Sequence, residues 1–136
     1  MRNLMVIGIS IILFAVSVQG QKLSPEKFQM AERGYLSAMQ SDNAGLVEDA
    51  VFCVLIMYAR YPDHDYTVLE NQLKELAFSG KNSMIQIKAY LACQSLKSRC
   101  WIDPAEPAMK DHDPNEMFAL LTDHFSNKML TIAASR

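Results

Sequence analysis

Glycine and proline are scarce in this sequence, and their scarcity argues against a turn-rich β fold. Each occurs only five times among 136 residues, whereas alanine, leucine and methionine are abundant. These three abundant residues favour helices, and short strands joined by tight turns would need more of the turn formers. The sequence therefore predicts an all-α protein, and its length fits one domain with a single modest core.

The motifs of several chemical activities are also missing. The chain has no glycine-rich phosphate loop, no Cys-x-x-Cys pair, and no signature of a catalytic nucleophile or of paired acids. We therefore expect no enzymatic activity and no cofactor. The net charge is −2 and no basic cluster occurs, so nothing would attract a polyanionic backbone, and nucleic acid is not an expected partner. The oligomeric state is left open.

The N-terminal segment has the pattern of a signal peptide. Arg2 supplies a positive charge, residues 4–16 are almost wholly apolar, and residues 18–20 suit a signal peptidase. We predict a signal peptide over 1–20, cleavage after Gly20, and one all-helical domain over 21–136. A membrane anchor is the alternative, but the apolar run is shorter than the ~20 residues that a spanning helix needs. The expected product is a bacterial protein, periplasmic or secreted, without a stable membrane anchor.

Apolar spacing, end signals and capping residues predict five helices. They cover residues 25–40, 44–60, 66–79, 83–96 and 114–133, and their predicted N-terminal caps include Ser24, Asp65, Ser83 and Asp113. Gly80 is expected to end the third helix in a left-handed conformation. The last helix is expected to face inward with Phe118, Leu121, Phe125, Met129 and Ile132.

Two of these helices are expected to be covered on more than one side. The second leaves almost no polar face, and the fourth carries Ile87, Tyr90 and Leu91 on a second apolar face. Between the fourth helix and the last, Pro104 and Pro107 predict a loop around Trp101.

Two Asp-His-Asp triplets precede the third and the last predicted helices. In "PDHDY" (62–66) and "KDHDP" (110–114) the final aspartate stands at a helix start, so capping explains it without a metal. The alternative is a zinc or calcium site shared by Asp63, His64, Asp111 and His112. The spacing of the triplets matches no local ligand motif, and we therefore predict no metal site.

The number of cysteines, three, is odd, so they cannot all pair within one exported chain. Cys53 lies among large apolar residues and is expected to be a buried thiol. Cys93 and Cys100 are the candidates for a disulfide, provided that the chain folds back after the fourth helix, because seven residues of continuous helix separate two Cα atoms by about 10 Å.

Two segments resemble each other at a distance of 39 residues. "NAGLVEDAVFCV" starts at Asn43 and "NSMIQIKAYLAC" starts at Asn82, and Ala50 then aligns with Ala89. Periods near 40 are typical of two-helix solenoid repeats. The segment "GKNSMIQIKAYLA" (80–92) resembles the second helix of a HEAT repeat, and "SDNAGLVEDAV" (41–51) is a looser copy with Glu48 and Asp49 near the usual basic position.

The resemblance covers about residues 40–96 and implies a short HEAT-like α-α superhelix. Antiparallel helix pairs would stack in two layers, with the repeat-like core at about 41–98 and the last helix at about 114–133. The first, third and last helices would form one layer, and the second and fourth the other. HEAT-like arrays are mainly scaffolds, so the resemblance implies binding of another protein or a peptide.

Overall fold

A computed structural model describes residues 22–134 of the chain, with the side chains of 22–128 and 134. Every regular element in this part of the chain is an α-helix, which confirms the all-α prediction. The helices are α1 (Pro25–Met39), α2 (Ala44–Arg60), α3 (Thr67–Ser79), α4 (Ser83–Ser95), α5 (Ile102–Lys110) and α6 (Pro114–Ala134). The predicted signal peptide, and the predicted inward placement of the Met129 and Ile132 side chains, lie outside what is described.

Helix α5 occupies the place of the predicted loop, so the described residues form six helices rather than five. Pro104 is the third residue of α5, where the backbone N–H would have no partner inside the helix, so proline is tolerated. Pro107 lies further inside and removes one backbone hydrogen bond. The helix forms despite this loss because Ala105, Ala108 and Met109 are all buried along it.

The indole of Trp101 fixes the turn between α4 and α5. Its Nε1 donates to the carbonyl oxygens of Ser95 and Ser98, each at 2.8 Å. A buried indole N–H needs an acceptor, and this one is shared by two carbonyls. Tyr58 of α2 stacks against the indole, with ring centroids 6.5 Å apart. The turn is therefore held both by its own backbone and by α2.

Helix α4 occupies a central position in the packing. Helices consecutive in the chain form the pairs α1 with α2, α3 with α4, and α5 with α6, while α1 also contacts α3, and α4 contacts both α2 and α6. The core is continuous through these contacts and includes Val51 and Leu55 from α2, Leu69 and Leu73 from α3, and Ala89 from α4, none of which is exposed.

Gly80 ends α3 in a conformation that differs from the prediction. Its φ of −57° and ψ of 153° are extended rather than left-handed. A close approach explains why glycine stands here. A Cβ atom would lie 2.5 Å from the carbonyl oxygen of Leu76 and 3.0 Å from Cγ2 of Ile85. The missing side chain thus lets the end of α3 meet the start of α4.

The second Asp-His-Asp triplet ends α5 and begins α6. The N–H of His112 donates to the carbonyl of Met109 at 3.2 Å, and the N–H of Asp113 donates to the carbonyl of Ala108 at 3.0 Å. These two bonds form a Schellman motif, which places one residue in the left-handed region. That residue is His112, with a φ of 50°.

Candidate functional site

Helix α4 presents three large apolar side chains to solvent. Met84, Ile87 and Tyr90 are 52%, 53% and 53% exposed. Their spacing of three residues places neighbours in contact range along one side of the helix. Ile85 and Ala89 of the same helix are buried. We name Met84, Ile87 and Tyr90 the α4 stripe.

The α4 stripe corrects the expectation that α4 is covered on both sides. Of the predicted second face, Leu91 is buried, but Ile87 and Tyr90 remain about half exposed. Although α2, α3 and α6 all pack on α4, they leave this strip open. Apolar spacing identifies the residues that share a face, but it does not reveal whether a neighbouring helix covers that face.

Phe78 adds a fourth exposed apolar side chain to the α3–α4 pair. It is 87% exposed and lies in the last turn of α3. Met84 lies in the first turn of α4, so the short connection 80–82 places both residues at the same end of the pair. The other large apolar side chains that are exposed in the described chain are Met30 on α1 and Val68 at the start of α3.

The chain segment that carries the α4 stripe is basic. No Asp or Glu occurs over residues 79–102, which include four basic residues. Two of these are neutralised: Lys81 pairs with an aspartate of the α1–α2 connection and Lys88 with a glutamate of α2. Lys97 and Arg99 are exposed just beyond α4, and neither is in an ion pair with another described residue.

Lys88 joins α4 to two other helices. Its Nζ lies 3.1 Å from Oε2 of Glu48 on α2 and 5.2 Å from the centre of the Phe118 ring on α6. The Lys88 side chain is only 11% exposed, so the ion pair and the cation–π contact offset the cost of burying its charge. This arrangement holds the helix that carries the stripe.

The structure does not gather the two Asp-His-Asp triplets into a ligand group. Within residues 22–134, no set of three or more histidine, cysteine, aspartate or glutamate side chains is placed to hold a metal. Asp63, Asp111 and His112 are exposed. His64 stacks on Phe28, with ring centroids 4.4 Å apart and planes within 5°. The first triplet therefore places a ring against α1.

The predicted caps fall at or next to helix starts. Ser24 Oγ accepts from the N–H three residues on at 3.2 Å, and Asp113 Oδ1 does the same at 3.1 Å. Asp65 lies one residue further out than expected, and its Oδ1 accepts from the N–H of the first helical residue at 2.9 Å. Ser83 is not the cap of α4. Asn82 takes that position, with its Oδ1 2.8 Å from the third helical N–H.

The candidate disulfide pair, Cys93 and Cys100, consists of free thiols in the structure. Cys93 is buried in α4, and its Sγ lies 3.9 Å from the carbonyl oxygen of Glu70 on α3. Cys100 is exposed in the turn after α4. The Trp101 turn is held instead by the indole hydrogen bonds.

Cys53 is partly buried rather than fully buried as expected, and it meets Tyr35 between α1 and α2. Burial, together with the nearby Asp49 carboxylate, raises the pKa of the Cys53 thiol to about 11. Burial also raises the pKa of Tyr35. The Tyr35 hydroxyl faces the thiol but makes no hydrogen bond of good geometry with it. Among the described residues, this hydroxyl is the buried side-chain oxygen that lacks a hydrogen-bond partner. This pair has the character of a core contact, because a thiol with a raised pKa is a poor nucleophile.

None of the described helices combines the length and the apolar character needed to cross a membrane. In comparisons with known proteins, no family model, curated protein or solved structure matches the chain.

Proposed function

We propose that this protein is an exported, non-enzymatic module with a HEAT-like arrangement of helix pairs, and that it binds a protein or peptide through the α4 stripe. The exposure of the stripe carries the proposal. Contiguous apolar groups on a surface are typical of interaction sites, and the three side chains lie on a helix whose other sides are packed.

Contacts at a nearly constant sequence distance support the repeat. Lys81 Nζ lies 2.9 Å from Asp42 Oδ1, and these residues are 39 positions apart. Lys88 contacts Glu48, which is 40 positions away. Contacts of this kind between the two resembling segments are what stacked repeats would make, and they support the proposed repeat.

Equivalent starts of α2 and α4 support the same register. Asn43 and Asn82 each accept a hydrogen bond from the N–H three residues later, at 3.3 and 2.8 Å. Ala50 and Ala89, which the repeat aligns, are 3% and 0% exposed. Small residues at both positions allow close approach of packed helices.

We further propose two layers, with α1, α3 and α5 in one and α2, α4 and α6 in the other, as a short α-α superhelix. The packing of α1 on α3, of α2 on α4, and of α4 on α6 supports this assignment. It differs from the expected layering because the additional helix α5 moves the last helix into the layer of α2 and α4.

Site-specific crosslinking tests the binding function. A photoreactive benzoylphenylalanine at Ile87 or Tyr90 should crosslink one defined protein in the exported fraction. The same group at Asn115, exposed on α6, is the matched control and should not. The captured protein should then bind the purified chain, and Ile87→Ser should weaken binding about tenfold, which corresponds to about 1.4 kcal/mol. Absence of crosslinks, equal crosslinking at Asn115, or unchanged affinity of Ile87→Ser would contradict the proposal.

A further inference from the structure

We infer that the partner of the α4 stripe is an amphipathic helix of another protein, with an apolar stripe of about two turns and acidic residues beyond one end of it. This inference rests on the proposed binding function and adds the chemistry of the partner.

The shape of the surface favours a helical partner. The α4 stripe extends over residues 84–90, which corresponds to about 9 Å along the helix axis, or somewhat less than two turns. No sheet edge is present in the described part of the chain, so an added β-strand would find no backbone partners there. An apolar row on a helix is matched by apolar residues at positions i, i+3, i+4 and i+7 of a second helix.

The charges beside the stripe define which residues the partner needs. Lys97 and Arg99 are exposed beyond the C-terminal end of α4, about 10 Å or more along the chain from Tyr90. Acidic side chains must therefore lie about two turns beyond the apolar stripe of the partner. Complementary charges of this kind accelerate encounter and fix the orientation of docking.

Symmetric pairing of the α4 stripes of two copies of this chain meets these requirements poorly. Pairing of one α4 stripe with another would place the exposed cations Lys97 and Arg99 of both copies in one interface. The acid-rich region, 103–123, does offer complementary charge. However, none of the large apolar side chains exposed in the described chain belongs to it, so it provides no apolar anchor.

An anionic membrane is also a weaker match. Lipid surfaces are recognised by clusters of four to eight basic residues, and here two of the four basic residues over 79–102 are already neutralised by carboxylates. The remaining two cations and three apolar side chains fit a short peptide segment better than a lipid surface.

Binding of two fluorescently labelled peptides to the exported form of the protein tests the inference. Both carry the same apolar stripe, and their terminal block is glutamate in one and lysine in the other. By fluorescence anisotropy at low salt, the glutamate peptide should bind at least about tenfold more tightly, and salt should reduce its advantage because the charges are exposed. Ile87→Ser should weaken binding of the glutamate peptide about tenfold, whereas Met30→Ser, on α1, should not change it.

Charge reversal provides the second measurement. The double variant Lys97→Glu and Arg99→Glu should prefer the lysine peptide, with the helix content of the protein unchanged by circular dichroism. Equal affinity for both peptides, or binding of neither, overturns the inference. Two further results would overturn the inference. One is that the protein sediments with phosphatidylglycerol vesicles and that Ile87→Ser abolishes this sedimentation. The other is that the protein forms a dimer that Ile87→Ser disrupts. A crosslinked partner without an acidic segment would leave the proposed function standing while this inference fails.

Discussion

Lys88 and Glu48 lie 40 positions apart in the sequence and form an ion pair of 3.1 Å between α4 and α2. The pair occupies the interface between the two segments that resemble each other. Its lysine is nearly buried and its glutamate is 30% exposed. Because the glutamate is partly exposed, water weakens the ion pair. The lysine ammonium is nearly buried, so removal of the glutamate would leave a buried charge without a partner and would lower the free energy of unfolding.

We expect Glu48→Ala to lower the free energy of unfolding by about 1 to 3 kcal/mol, because it leaves the Lys88 charge buried without its partner. Urea denaturation gives the measurement. Glu70→Ala, which removes the pair with Lys74 on α3, is the control and should cost no more than about 0.5 kcal/mol, because the lysine left behind is 50% exposed. Replacing both partners, as Glu48→Leu with Lys88→Met, should restore most of the stability. Equal losses in the two single variants would contradict the assignment.

The two cap candidates at the start of α4 give a second comparison. Asn82→Ala should destabilise the protein by about 1 kcal/mol, since the carboxamide oxygen satisfies an otherwise unpaired backbone N–H. Ser83→Ala should be nearly neutral, because Ser83 is already the first residue of the helix. Denaturant melts of the two variants measure the difference, and a larger loss at Ser83 would show that the cap lies one residue later.

Local sequence patterns predicted where most helices begin and end, but they did not predict which sides of a helix its neighbours cover. The bounds of α2 agree with the prediction because its dense apolar run begins after Asn43 and ends at Arg60. Helix α5 was missed because two prolines in nine residues indicate a loop, while burial along the helix compensates for them. The exposure of Ile87 could not be predicted, because it depends on where α2, α3 and α6 pack on α4, and the sequence of α4 contains no information on that.

The left-handed backbone of His112 leads to a prediction on stability. Positive φ is sterically unfavourable for a residue with a Cβ but not for glycine, and this strain exceeds the cost of the greater freedom of the unfolded chain, so His112→Gly should raise the free energy of unfolding by up to about 1 kcal/mol. Asp111→Gly is the matched control. Asp111 has a φ of −80°, and glycine there should destabilise by increasing the freedom of the unfolded chain. Thermal melts of the two variants should therefore shift in opposite directions.

Two buried tyrosines should respond differently to loss of the hydroxyl. Tyr35→Phe removes an oxygen that has no hydrogen-bond partner in the described chain, so stability should be unchanged or higher. Tyr66→Phe removes a hydroxyl that lies 2.6 Å from the Tyr61 carbonyl and 3.1 Å from that of Met57. It should cost about 1 kcal/mol. Urea melts decide between them, and a clear loss for Tyr35→Phe would mean that its hydroxyl is bonded in solution.

The alignment of Ala50 with Ala89 supplies the test of the repeat register. Both methyl groups are buried between packed helices, so leucine at either position should overpack the core and cost about 1 to 3 kcal/mol. An exposed alanine is needed as the control. Ala31 is unsuitable, because it is only 7% exposed and belongs to the same core. Ala119 is exposed on α6, and Ala119→Leu should be close to neutral.

Denaturant melts of the three alanine variants provide the comparison. Similar losses for Ala50→Leu and Ala89→Leu, with none for Ala119→Leu, would indicate equivalent packing environments, as a repeat requires. A large loss at only one of the two buried positions would instead mean that α2 and α4 meet their neighbours differently. The aligned alanines would then no longer support a HEAT-like arrangement, although the α4 stripe would remain exposed and its binding function would remain open to the crosslinking test.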